Sequence, residues 1–356
     1  MRSAEKIWGR HHILRLTLAD GRSAVLKRGR DADSADPLRG FPAEVAALSL
    51  LNGMPVPVAP RLLGADATLL VMEDLSPAAS LAHSLLAADP VRAQADLVAY
   101  ARALGAMHAW SAGRGQDFAA IAASPAGVPE PHWIAAITEG KGPLLGVAER
   151  LGLRDDGVSA EIDSLPALLR GPGDAYTGLV HSDACPDNTH VTDGTCRLID
   201  FETSGWGPVA LDAAYLLAPF PSCWCFAALA AEVANAALDA YRDQLTGAGI
   251  ALGANWDVAL TAALGGWIVA RAPALGRLLD KDREWGTTTG RPRMLTWLRS
   301  FADAAAGSGA LPRLDALARA IREQLSARWP DIVVPDYPAL ARPGVPLARL
   351  PRGWES

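Results

Sequence analysis

The feature that most constrains this chain lies between Leu179 and Phe201, where two short apolar runs flank the dipeptide Asp193-Gly194. Thr189-His190-Val191 and Cys196-Arg197-Leu198-Ile199 read as strands, and an Asp-Gly pair between them is hairpin chemistry. A hairpin returns the chain beside its own start. It therefore predicts that Asp200, at the end of the second strand, sits close to Asn188, just before the first. Upstream, the apolar strand Leu179-Val180 delivers His181 and Asp183 to the same loop.

A carboxylate beside an amide, with a second carboxylate a few residues upstream, suits one kind of chemistry. Mg²⁺ takes oxygen ligands in an octahedron and usually bridges a protein carboxylate to substrate phosphates. Asp200 and Asn188 can supply such ligands from one side, with ATP oxygens on the other. Asp183 can then hold and deprotonate an attacking hydroxyl. Phosphoryl transfer asks a protein mainly to position groups and neutralise charge, so this small set suffices.

The rest of the chain agrees with an ordinary globular enzyme. Its 356 residues are half hydrophobic and one-fifth charged, with a formal net charge of −6. That balance argues against disorder, a nucleic-acid partner or a polybasic membrane contact. The four cysteines, Cys185, Cys196, Cys223 and Cys225, are too few for a disulfide framework. Cys223-x-Cys225 lacks a second pair at zinc spacing. Unpaired thiols in a reducing cytoplasm are the expectation. Met1 to Trp8 is charged and has no apolar leader pattern. The run Val258 to Ala270 is too short to span a bilayer and reads as a buried helix.

Along the chain the expected order is strand (His12–Ala19), Asp20-Gly21 turn, strand (Ser23–Lys27), helix (Pro42–Leu51), then strands at Arg61–Gly64 and Thr68–Glu73. From Ser76 helices dominate. Val91–Trp110 is a long one, and Gly113–Gly173, with its Pro and Gly, reads as irregular with short helical pieces. Asp212–Leu245, Asn255–Asp280, Arg293–Ala306 and Leu314–Trp329 read as four more helices. The Pro-rich tail after Pro330 is expected to run extended over the surface.

His181-x-Asp183 followed by Asn188, then Leu198-Ile199-Asp200-Phe201-Glu202, resembles the aminoglycoside phosphotransferase and choline kinase family, which shares its fold with the protein kinases. The resemblance implies an α+β, two-lobed protein-kinase-like fold: a small β-rich N-lobe, residues 1–74, and a large, mainly helical C-lobe, residues 75–356. It implies Asp183 as catalytic base, Asn188 and Asp200 as Mg²⁺ ligands, and His181 and Asp212 as braces of the catalytic loop. It also points to parts upstream. Lys27, in Ala24-Val25-Leu26-Lys27, resembles the lysine that reaches the α/β-phosphates, and Glu44 its helix partner. Backbone groups near Glu73 and Leu75, in Leu69 to Leu75, are expected to bond adenine. The phosphate-covering loop would be Ile7 to His12, with a single glycine. Ser182 and Glu202 depart from the protein-kinase pattern and favour a small-molecule acceptor.

The cofactors implied are ATP and Mg²⁺, and the partner is a hydroxylated small molecule, with no nucleic acid and no membrane. A cationic aminoglycoside-like acceptor would call for an acidic pocket, to which Glu202, Asp187 and Asp280 to Glu284 are the candidate contributors. Trp206, Trp224, Trp267 and Trp285 are candidates for a pocket wall, although scattered Trp in an Ala-rich lobe is more often core. A choline- or homoserine-type metabolite kinase and a nucleotide-binding pseudokinase are the alternatives.

Overall fold

The computed structural model describes residues 2–7, 13–28, 40–122 and 130–350. The N-terminal lobe is an antiparallel sheet. Its strands are β1 (Ser3–Lys6), β2 (Ile13–Thr17) and β3 (Ser23–Arg28), then, after helix α1 (Phe41–Leu51), β4 (Leu62–Ala65) and β5 (Leu69–Glu73). The order across the sheet is β1-β2-β3-β5-β4. Asp20-Gly21 turns β2 into β3, with Leu18 N–H donating to Arg22 O at 2.8 Å. Register pairs Lys27 with Ile13 on one side and Leu70 on the other. Strand β1 is an addition to the sequence reading; its exposed, charged residues carry no alternation to detect it by.

The C-terminal lobe begins with α2 (Leu81–Leu86) and α3 (Pro90–Ser111), continues through α4 (Gly115–Ala122), α5 (His132–Arg150) and α6 (Val158–Arg170), and then forms β6 (Thr177–Val180). Helix α3 starts where local chemistry predicts: the Asp89 carboxylate caps Arg92 N–H at 3.0 Å and Pro90 takes the first turn. The catalytic hairpin follows as β7 (Thr189–Thr192) and β8 (Thr195–Leu198), with Asp193 at φ 49° and Gly194 at φ 76°. Positive φ at both turn residues is the geometry that an Asp-Gly pair supplies. Strand β9 (Gly205–Pro208) pairs with β6, leading to α7 (Ala210–Ala213). The remainder comprises α8 (Ala231–Gly247), α9 (Ala254–Leu278), the short pair β10 (Glu284–Trp285) and β11 (Thr288–Thr289), α10 (Gly290–Ser308) and α11 (Pro312–Arg328).

Helix α9 is the axis of the lobe, packed by α5, α6 and α10. At 25 residues it follows the expected helix Asn255–Asp280 and is long and apolar enough to cross a membrane, but 72% of its most apolar window is buried inside the protein.

Several sequence expectations are corrected. The described residues of 113–173 are mostly helical rather than irregular: α5 and α6 run through Pro143 and Pro166. Gly140 is there for packing rather than for breaking, since a Cβ would stand 2.0 Å from Val269 O of α9. Asp212–Leu245 is not one helix. Pro219 and Pro221 interrupt it, and an irregular stretch with Phe220 at φ 49° separates α7 from α8. The tail is anchored rather than merely laid on the surface: Tyr337 and Asp336 are buried, and Asp336 bridges Ala228 and Leu347. Finally, Cys185 and Cys223 form a disulfide across 38 residues, where unpaired thiols were expected. The interrupted helix is the reason, because it returns Cys223 to the catalytic loop.

Candidate active site

Lys27 leaves β3 toward a group of carboxylates. Its Nζ lies 2.7 Å from Glu44 Oε2, 2.6 Å from Asp200 Oδ1 and 3.5 Å from Glu202 Oε2. Glu44 reaches it because α1 is pressed against the segment after β8. Gly40, at φ 90°, caps that helix, and a Cβ on it would stand 2.4 Å from Glu202 O. Only glycine allows both the backbone conformation and the approach. Burial alone would lower the Lys27 ammonium, but its three carboxylates outweigh this and hold it above its ordinary value. Glu44 moves up to about 7: burial is the largest cause and prevails over the lowering by Lys27, with smaller contributions from Asp200 and Glu202 in the same direction as burial. Among the described residues one ammonium is shared by these three carboxylates.

The hairpin joins this cluster to the loop before it. Thr189 pairs with Leu198, and Ile199 N–H donates to Asn188 O at 3.0 Å, so Asn188 flanks the strand that ends at Asp200. Asn188 Nδ2 donates to Asp183 O at 2.9 Å and to Asp183 Oδ2 at 3.2 Å. The other carboxylate oxygen, Oδ1, accepts from Ser222 Oγ at 2.8 Å. Asp200 itself sits at φ 65°, a left-handed backbone that a short polar residue tolerates. Asp183, Asn188, Asp200, Lys27 and Glu44 are thus brought together across the interface of the two lobes.

Asp212, fully buried, braces the loop. Its oxygens accept from His181 N–H at 2.6 Å and Ser182 N–H at 3.0 Å, and His108 Nε2 lies 3.2 Å away. The second His108 nitrogen meets Tyr241 Oη at 2.7 Å. His181 extends the brace by pairing Nε2 with Ile199 O at 2.9 Å. Trp133 Nε1 donates to Ser182 O at 2.6 Å, and Tyr100 Oη to Ala184 O at 2.7 Å. The loop that carries Asp183 is therefore held from behind at His181, Ser182 and Ala184.

Other candidates stand apart from an acidic pocket. Glu202 turns to Lys27, and Asp187 Oδ2 accepts from Trp224 Nε1 at 2.7 Å while burial raises its carboxyl. Asp280 pairs with Arg150, and Asp282 accepts from Arg283 and Arg291 N–H. Trp206 stacks on Phe118, 5.6 Å between centroids. Glu73 ends β5 and accepts from Arg197 Nη1 at 2.9 Å; Leu75 follows in the linker to α2. Residues 8–12 of the expected phosphate loop lie outside the described residues.

Sequence reasoning missed Ser222, Tyr215, Trp133 and Arg271. Tyr215 Oη lies 2.8 Å from Ser222 Oγ, completing a chain to Asp183. None of the four carries a spacing signal. Only Pro219-Phe220-Pro221, read as a break, would have drawn attention to the serine that follows it.

A sheet lobe seated on a helical lobe, with a lysine–glutamate pair facing the Asp183–Asn188–Asp200 hairpin, defines a kinase-like phosphotransferase. The chain belongs to the phosphotransferase enzyme family, whose profile matches residues 9–252. As such it is a small-molecule phosphotransferase with a hydroxyl group as acceptor. A choline kinase from Cryptosporidium parvum Iowa II shares the fold at 12% identity, with a TM-score of 0.51 over 89% of this chain and 93% of that one. An amicoumacin kinase in complex with AMP-PNP, Ca²⁺ and Ami does so at 15% identity and a TM-score of 0.51, over 90% and 88%. No curated protein is similar enough to match.

Proposed function

We propose that the protein moves the γ-phosphoryl group of ATP, with Mg²⁺, onto a hydroxyl of a small molecule, and that Asp183 is the base. The observation that carries this is the fixed carboxylate of Asp183, gripped by Ser222 and Asn188 beside the Lys27 cluster. The acceptor oxygen attacks the γ-phosphorus, the bond to the β,γ-bridging oxygen breaks, ADP leaves, and the hydroxyl proton passes to Asp183. Lys27 holds the nucleotide phosphates, Glu44 positions Lys27, and backbone groups at Glu73 and Leu75 receive adenine.

Mg²⁺ fits the residues present. Among the described residues three carboxylates gather around one ammonium, and Asp200 and Asn188 offer the hard oxygen donors that the ion prefers. When bound, the ion neutralises charge on the phosphates. The amicoumacin kinase, which holds a nucleotide analogue and a divalent cation, supports the same reading.

Asp183→Asn tests it. Turnover, read as ADP release, should fall by about 10²–10⁴-fold, with nucleotide affinity kept within about twofold. Wild-type turnover in that variant would remove Asp183 from the chemistry.

A further inference from the structure

Arg271 projects from α9 into a cage of indoles. Its guanidinium carbon lies 4.8 Å from the ring centre of Trp133, 5.6 Å from Trp285 and 5.8 Å from Trp267. Trp133 is the residue that bonds Ser182 O, next to Asp183. Asp183 and Tyr215 are close enough to act on the Arg271 charge, both favouring it against the burial that pulls its pKa down. The cage therefore adjoins the loop that carries the proposed base.

The guanidinium is short of partners. Nε is buried with no hydrogen bond, and among the described residues the group makes no ion pair. The other deeply placed cations have more: Arg293 shares the unbonded Nε, but its Nη groups are engaged. Lys27 has three carboxylates. Arg293 donates to Cys223 O at 2.5 Å, Trp224 O at 3.2 Å and Trp285 O at 2.8 Å. A guanidinium cannot shed its proton to escape burial. Indole faces return only about 0.5–2 kcal/mol of its desolvation. Arginine's flat fork of donors is matched to oxyanions, which it grips with two parallel bonds.

We propose that Arg271 is a specificity-determining residue, and that the acceptor carries an oxyanion, a carboxylate or a phosphate, which docks on its guanidinium. This rests on the kinase reading of the same site and deepens it. An acceptor hydroxyl at Asp183 would bring its anionic group to the indole cage. The inference runs against a polycationic acceptor, for which Arg271 would be a repulsive neighbour, and it accords with Asp187, Asp280 and Asp282 being engaged by their own partners.

The test uses matched probes that differ in charge: gluconate, 6-phosphogluconate, glucose and glucosamine. Their binding to the full-length protein is followed by tryptophan fluorescence, with and without Mg²⁺ and AMP-PNP. The anions should bind at least tenfold more tightly than glucose, and glucosamine least. Comparing gluconate with 6-phosphogluconate tells a carboxylate site from a phosphate site. Arg271→Met should weaken the anions roughly 10–100-fold and leave glucose and AMP-PNP binding unchanged; Arg271→Lys should restore part of the loss. Unchanged AMP-PNP binding and an unchanged melting temperature show that both variants fold. The proposal is overturned if no anion binds at millimolar concentration, or if glucose or glucosamine binds as well. It is equally overturned if Arg271→Met leaves the anions unaffected, the result for a purely structural cation in an aromatic wall. A loss confined to AMP-PNP would reassign Arg271 to the nucleotide phosphates. Failure of the wild type to bind AMP-PNP with Mg²⁺ would instead sink the kinase reading, while the nucleotide-free titration still scores Arg271.

Discussion

On the nucleotide wall of the cleft one ammonium, Lys27, is shared by Glu44, Asp200 and Glu202, all within 3.5 Å. On the acceptor wall one guanidinium, Arg271, faces three indoles and pairs with no carboxylate among the described residues. Among the described residues the first wall gathers three carboxylates around a single ammonium, and the second sets a guanidinium among indoles with no ion pair, favoured only by the nearby Asp183 and Tyr215. Each arrangement suits what should come to it: a divalent cation with its nucleotide on one side, an oxyanion on the other. Asp183 is restrained by Ser222 and by Asn188 of the hairpin.

The largest effect that would break this contrast is the removal of the shared ammonium. Lys27→Met should lower kcat/KM for ATP about 10³-fold, the cost of losing one preorganised cation at developing phosphate charge. The anion preference of the acceptor wall should survive. If both fall together in titrations of the folded variant, the walls are one electrostatic unit and the contrast is wrong.

The two walls also differed in legibility. The hairpin could be read because Asp193-Gly194 is local chemistry, and it alone put Asn188 beside Asp200. Lys27 and Glu44 could be sought because each sits in a short, periodic element. Trp133, Arg271 and Trp285 come from α5, α9 and β10, more than 100 positions apart at the extremes, and no local pattern joins them. Tryptophans of a pocket wall have the same periodicity as tryptophans of a core. Helix α5 itself was hidden by Gly140 and Pro143, residues that read as breakers until the backbone of α9 is known to lie against the glycine. The Cys185–Cys223 bond was hidden for a related reason: it depends on the excursion between α7 and α8, which periodicity had smoothed into a helix.

A smaller effect tests the floor that both walls share. Asp212→Asn replaces one acceptor of the His181 and Ser182 N–H groups by an amide nitrogen, leaving a buried donor facing a donor. Stability should fall by about 2–3 kcal/mol in urea unfolding. Turnover should fall more than nucleotide binding does, because the brace holds the Asp183 loop and not β3. A variant as stable as wild type would mean that Trp133 and Tyr100 hold the loop without it.

The smallest effect belongs to Glu44, and its sign is the informative part. Its carboxyl lies at about 7 in the folded protein against an ordinary 4.5, raised by burial and by its carboxylate neighbours. The folded state therefore binds this proton more tightly than the unfolded chain. The stability it contributes is full below about pH 4.5 and is lost as pH rises through 7. Between pH 6 and 8 the loss should be about 1 kcal/mol, the slope for one proton over roughly one unit. Glu44→Gln, which cannot titrate, should flatten that part of the profile. Loading the wild type with Mg²⁺ and AMP-PNP should flatten it as well, because added positive charge offsets the carboxylates that help to raise Glu44. A profile in which stability rises with pH in this window would show that Lys27 pairs with Glu44 alone, and that the gathering of carboxylates on the nucleotide wall is not there.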